Sequence, residues 1–347
     1  MAIARFIPAT LTMFFEKCYL MVDLFFIMSG FIILHVYKDD FALRISGKSL
    51  KKYFVARFAR IYPLHFFAML LLVTGVILFS PHGTYPNPIE NPSAIPTGFL
   101  LLHSYYIHPI YTWNIPSWSI SAEWAAYLLF PFLALFLSKR KLSALIVFVI
   151  FIIAAYVSIM YFLPRKNYMY PSIPVPHNLN TTYDYGFLRG IAGFMTGMLV
   201  YKLYQWSSQK NILHKDMFAL AIILLVVLAL HFAVSDAYCI ILFAALVLGF
   251  ALNDSYLHAC CNNRFAQYVG KISYSIYMMQ IFLQEPFSKG LRLPGVVGFG
   301  RGKMNIEFVS GLGYFLIYLV LLLAISSITY YTIEQPCRKW INRVGGS

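Results

Sequence analysis

NIPSWSISAEWAAYLLFPFLALFL, residues 114–137, decides the fold: it reads as a membrane-spanning helix with one carboxylate, Glu123, about a turn inside its apolar run. About 20 apolar residues cross a bilayer. A carboxylate placed there costs several kcal/mol unless it is paired or reaches water, so an intramembrane acid is a candidate functional group. Two readings of Glu123 stand. It is a functional acid, or it lies at the interface and anchors the helix beside Trp118 and Trp124, because tryptophan favours the headgroup level.

Outward from this stretch, apolar runs recur along all 347 residues, 60% of which are hydrophobic and 12% charged, against about 25% charged in a soluble domain. The mean hydropathy is +0.69. Nine spans are predicted, at 18–37, 62–80, 119–137, 142–163, 184–203, 217–234, 237–252, 268–287 and 308–332. The fold class is therefore all-α: a polytopic helical bundle forming one membrane-embedded domain over 1–347. LLHSYYI, residues 101–107, is too short to span and reads as a re-entrant or interfacial piece.

Lysine and arginine set the sidedness. The loop 38–61 holds Lys38, Arg44, Lys48, Lys51, Lys52, Arg57 and Arg60, the loop 81–118 holds none, and the next loop reads SKRK. The alternation puts residue 18 outside, 81–118 outside, and the tail 335–347 in the cytoplasm. The net charge of +14 is then largely a topology signal and does not call for a nucleic-acid partner. An odd span count with an outward start predicts that a preceding helix is missing from the sequence. Cys18, Cys239, Cys260, Cys261 and Cys337 match no zinc or redox spacing.

Other polar groups interrupt the apolar runs. Asp23 stands alone in CYLMVDLFFIMSGFIIL and either clamps the outer end of its helix or joins the site; Gly30 reads as a close helix contact. Arg57 and Arg60, at i and i+3 on one helical face, sit where the chain re-enters the membrane. They are cytoplasmic anchors or, with Lys51, a phosphate clamp, since guanidinium forks match phosphate oxygens; anionic lipid headgroups are the simple alternative ligand. His65, read as about a turn inside the inner leaflet, is a general base or a neutral hydrogen-bonding group between helices. Ser273, Tyr277 and Gln280 fall at i, i+4 and i+7, a stripe expected to face the bundle interior or a wet cavity. With Trp118 they are the candidate substrate-binding residues. Glu334 is expected to pair with nearby basic side chains. No nucleotide-binding glycine loop, HExxH or GxSxG is present, so ATP hydrolysis and a catalytic zinc are not expected.

Five segments then occur in order: VDLFFIMSGFII at 22–33, RFARIYPLH at 57–65, SWSISAEWAAYLLFP at 117–131, GKISYSIYMMQ at 270–280 and YYTIEQPCRKW at 330–340. Together they resemble the membrane-bound acyltransferase 3 family, over about residues 18–341. The resemblance implies a ten-helix bundle in a bacterial inner membrane that takes an acyl group, usually acetyl from acetyl-CoA, at the cytoplasmic face. It passes that group to a hydroxyl of an exopolysaccharide, lipopolysaccharide or other glycan or glycolipid. By the same resemblance Arg57 and Arg60 lie near the acyl donor, Glu123 and Asp23 are the acids of two family motifs, and acyl-CoA is a co-substrate with no permanently bound cofactor. The chain departs from the pattern twice. Its opening, MAIARFIPATLTMFFEKC, lacks the family's first-helix arginine and histidine, and Gln280, which cannot titrate, stands where many members carry a histidine.

Three functions follow as expectations. The first is acyl transfer, with Glu123, Asp23 and His65 as candidate catalytic residues and Arg57, Arg60 and Lys51 as candidate donor-binding residues. Glu123 and Asp23 are read as an outer acidic pair across the membrane from the two arginines. The second is transport of a small solute, and the third a catalytically impaired member of the family.

Overall fold

The computed structural model describes residues 13–79, 88–138, 142–165, 176–207, 216–253, 256–288 and 304–346. Apolar composition predicts long helices, because a backbone in hydrocarbon must bond to itself. The described residues form helices joined by turns, with no strand among them. The helices are α1 (Phe14–Tyr37), α2 (Gly47–Phe79), α3 (Ser117–Ser138), α4 (Leu142–Phe162, ending in a π turn) and α5 (Gly186–Ser207). They continue as α6 (Asp216–His231), α7 (Asp236–Leu252), α8 (Arg264–Ser288), α9 (Met304–Thr329) and α10 (Gln335–Gly345), the last reached through a π turn at Tyr330–Glu334. Each predicted span falls on one of α1 to α9.

Among the described residues, five helical stretches combine the length and hydropathy needed to cross a membrane: α1, α2, α3, α4 and the continuous run from α9 into α10. Helices α6 and α7 are apolar but shorter. Helix α5 is the bundle's axis, packed against α1, α3, α4 and α7, and most extensively against α1. Glycine makes this possible. A Cβ on Gly30 would stand 1.9 Å from the Phe194 carbonyl oxygen, and one on Gly197 would stand 1.9 Å from that of Ile27. The expected close contact at Gly30 is therefore present, and it is reciprocal.

Helix α2 starts 15 residues before the predicted span, at Gly47 instead of residue 62. Its 33 residues span about 50 Å, well beyond the roughly 30 Å hydrocarbon thickness. Arg57 and Arg60 thus lie within a helix and not in a loop at its mouth, because the basic segment has helical periodicity that a hydropathy window cannot register. The tail 335–345 is also helical and packs along α2. Residues 101–113 form a partly buried, turn-rich segment, with Leu101, Tyr106 and Trp113 in the left-handed backbone region. The SKRK residues Lys139 to Lys141 and the opening segment 1–12 lie outside the described residues.

Candidate active site

The first polar cluster joins α1, α2 and α3. Ser29 of α1 donates to Glu123 Oε1 at 2.9 Å, and the Tyr127 hydroxyl, one turn further along α3, donates to the same oxygen. Among the described residues the second oxygen, Oε2, has no hydrogen-bond partner. Glu123 is 4% exposed, so the interfacial-anchor reading does not describe its position. The guanidinium of Arg57 lies 5.8 Å from the Tyr127 ring centroid and 5.4 Å from that of Tyr37, and it donates to the Tyr37 hydroxyl at 3.3 Å. Its Nε is buried without a partner, and among the described residues no carboxylate is within ion-pair distance of it. A cation in an aromatic cradle, one ring removed from a carboxylate with a free oxygen, is prepared for an anionic or strongly polar ligand.

Arg60 is differently committed. It pairs with Glu334, whose other oxygen accepts from Ser275 at 2.8 Å, and its guanidinium lies over the Tyr274 ring at 5.4 Å. The two arginines, neighbours on α2, therefore turn to different helices. The expected pairing of Glu334 is met, by Arg60 and not by the basic side chains that follow it in sequence. Lys51 is exposed, about two turns before Arg57.

Asp23 and Glu123 are not a pair. Arg189, fully buried one turn into α5, donates from Nε to Asp23 Oδ1 at 2.9 Å and from Nη2 to Oδ2 at 2.5 Å. Its remaining bonds go to the carbonyls of Thr181 and Tyr19. Both Asp23 oxygens are thus engaged, which favours the clamp of the two readings. Trp118 is packed in the same region, against Phe26 and under Arg189 at 5.4 Å. Lys17, Tyr19 and the backbone N–H of Leu179 similarly satisfy Asp236.

His65 lies 18 residues into α2, about 27 Å from its start and five residues beyond Arg60. It contacts Ser117, at the opposite end of α3, and the carbonyl of Gly98 in the short helix Ile95–Phe99. Beside it, His103 is buried with both ring nitrogens unpartnered. Burial, reinforced by His65 and His108, pushes its pKa down to about 3.

The predicted α8 stripe is rotated. Ser273 is exposed and bonds back to Gly270, while Ser275 points inward to Glu334. Tyr277 does face the bundle, bonding Ser119 at 2.7 Å and the Pro116 carbonyl at 3.1 Å, and Gln280 is half-buried. Sequence reasoning missed Tyr127, Tyr37, Arg189 and Ser275. Tyr127 stands at i+4 from Glu123, and Arg189 is a charge inside an apolar span, so both carried a readable signal.

A polytopic helical bundle with a buried acid–tyrosine–arginine cluster defines a membrane protein with a polar site in its interior. The acyltransferase domain family matches residues 8–331, and the chain belongs to this acyltransferase 3 family. It is 37% identical over 113 residues to Acyltransferase MdmB of Streptomyces mycarofaciens, covering 32% of this chain and 27% of the relative. It is 39% identical over 74 residues to Protein 2 in picA locus of Rhizobium radiobacter, covering 21% and 37%. An uncharacterized protein of Haemophilus influenzae is 25% identical over 142 residues, covering 39% and 57%. The matched stretches span between about a quarter and just over half of these relatives' lengths. No solved structure matches. The matching family is that of an acyltransferase domain, and the long apolar helices are those of a membrane protein.

Proposed function

We propose that this acyltransferase takes its acyl group from an acyl-coenzyme A, with acetyl as the expected group, at the basic end of the bundle. The acceptor is a hydroxyl of a glycan or glycolipid that approaches from the opposite end. The observation that carries this reading is Arg57: a guanidinium with a buried, unpartnered Nε and no carboxylate partner among the described residues, in ring contact with the tyrosine that holds Glu123. A partly buried cation favours an anion, and a phosphate-bearing donor supplies one.

In this reading Lys51 and Arg57 hold the anionic part of the donor, and Arg60 fixes the helix that carries them by its pair with Glu334. Glu123, with one oxygen fixed by Ser29 and Tyr127, offers Oε2 to a substrate O–H or N–H and so orients the reacting groups. Holding two reactants in one geometry accounts for much of the acceleration in group transfer. Glu123→Gln keeps the side chain's shape and removes the charge. Turnover of acetyl-CoA by the whole chain in lipid nanodiscs, read as free thiol, is expected to fall at least tenfold at unchanged membrane abundance. Wild-type turnover in that variant would remove Glu123 from the site, and absence of thiol release by the unmodified chain would remove acetyl-CoA as donor.

A further inference from the structure

A second constellation lies on the far side of Glu123. Ser117 and Glu123 are six residues apart on α3, about 9 Å along the axis. His65 Nε2 is 3.0 Å from the Gly98 carbonyl oxygen, and His65 Nδ1 is 3.1 Å from Ser117 Oγ. A carbonyl can only accept, so in the neutral ring the proton sits on Nε2 and Nδ1 is left as an acceptor. The Ser117 hydroxyl therefore donates to Nδ1. This is the order of nucleophile, base and orienting acceptor that activates a serine, with a backbone carbonyl in the third position.

The surroundings fit a reacting centre. Ser117 and His65 are both fully buried. Ser117 opens α3, where the positive end of the helix dipole favours developing negative charge. Asn114, one turn before Ser117, is 0% exposed, yet neither its Oδ1 nor its Nδ2 has a partner. The ring of His103 stands edge-on to His65 with centroids 5.6 Å apart, and both its nitrogens are also unpartnered. Buried polar groups are normally satisfied, so a set of unsatisfied ones beside a serine–histidine contact marks a place for water or a ligand's polar atoms. The loop supplying them holds Leu101, Tyr106 and Trp113 at positive φ, backbone strain of the kind that clusters at functional sites.

We infer that Ser117 and His65 form a nucleophilic dyad that carries the acyl group as a serine ester between donor and acceptor. The inference rests on the acyltransferase reading with a thioester donor. Ser117 Oγ attacks the thioester carbonyl carbon while its proton passes to His65 Nδ1. The C–S bond breaks, and the departing sulfur takes that proton, leaving a free thiol and acyl-Ser117. The acceptor hydroxyl then gives its proton to Nδ1, its oxygen attacks the ester carbonyl, and Ser117 leaves and recovers the proton. Each bond formed is matched by one broken, and no oxidant or reductant is needed. The Asn114 amide is the candidate donor to the carbonyl oxygen in both halves.

The test uses the whole purified protein and two probes, a fluorophosphonate and acetyl-CoA labelled in the acetyl group, each without acceptor, with peptide mass spectrometry as readout. The expected result is an adduct on Ser117 with both probes, absent in Ser117→Ala, at least tenfold slower in His65→Gln, and unchanged in the exposed-loop control Ser93→Ala. Should Ser117→Ala fail to reach the membrane, Ser117→Cys tests the same point, because its acetyl adduct becomes a thioester released by neutral hydroxylamine. Fluorophosphonate labelling that depends on His65 without any acetyl-CoA turnover upholds the activated serine and overturns the donor. Acetyl-CoA turnover with no Ser117 adduct, or within threefold of wild type in Ser117→Ala, overturns the dyad.

Discussion

Arg189 holds both carboxylate oxygens of Asp23 across 166 residues of sequence, and neither side chain is exposed at all. Such a pair does little for net stability compared with an apolar replacement, but breaking it leaves an uncompensated buried charge. Arg189→Ala is expected to cost about 3–5 kcal/mol. It should appear as loss of folded protein in a detergent melting experiment. The double variant Asp23→Leu with Arg189→Met should recover most of that stability. Turnover decides between the two roles of Asp23. A stable double variant that turns over identifies a clamp; a stable and inactive one returns Asp23 to the chemistry.

The bundle's tightest crossing gives a sharper test of the fold. Gly197→Ala places a methyl group 1.9 Å from the Ile27 carbonyl oxygen, and backbone on both sides prevents an easy retreat. The α1 and α5 axes must separate, and the Ser29–Glu123 bond, carried by α1, is expected to be lost with them. Gly75→Ala, with nothing within 4 Å of its new Cβ, should be neutral or stabilise by up to about 1 kcal/mol through helix propensity. Comparable membrane yields and turnover for the two variants would contradict the crossing.

These two cases show what could be read from the chain and what could not. Glu123 was legible because a carboxylate inside an apolar run violates composition. The same rule applies to Arg189 in GFLRGIAGFM, so the partner of Asp23 was visible as a residue, though not as a partner. Pairing across 166 residues depends on which helices touch, and periodicity carries no such information. The start of α2 was misplaced because a hydropathy window stops at charge while a helix does not. The contact of His65 with Ser117, 52 residues away, depends on helix packing that no hydropathy window registers. On α8, spacing predicted one inward stripe of Ser273, Tyr277 and Gln280, but Ser273 is exposed and the face toward Glu334 bears Tyr274 and Ser275.

Arg57 and Arg60 should separate by experiment despite sitting three residues apart. Arg60→Ala strands Glu334, whose side chain is 1% exposed, and is expected to cost roughly 1–3 kcal/mol, relieved by adding Glu334→Gln. Arg57→Ala removes a cation with no carboxylate partner among the described residues, so stability should hold while acetyl-CoA binding weakens at least tenfold. Arg57→Lys should rescue only in part, because ammonium lacks the fork and stacks less well in the Tyr37–Tyr127 cradle. Titration calorimetry beside melting curves reads both quantities. Equal loss of binding in the two alanine variants would mean that the pair acts as one clamp.

His103 makes the stability of the loop end depend on pH in a stated direction. Its pKa in the folded protein is about 3, lowered by burial and by His65 and His108, against about 6.5 in an unfolded chain. Below pH 6.5 the unfolded chain gains a proton that the folded one does not, so acidification favours unfolding. The loss begins near pH 6.5, reaches about 2 kcal/mol at pH 5, and stops growing only near pH 3. His103→Gln keeps polar atoms at the position and removes the titration. The melting-temperature gap between wild type and this variant should therefore move in favour of the variant as pH falls from 7 to 5. Parallel pH profiles would show that His103 takes up a proton in the folded state, which requires an acceptor or water at its ring nitrogens and would make the space beside Ser117 and His65 wet.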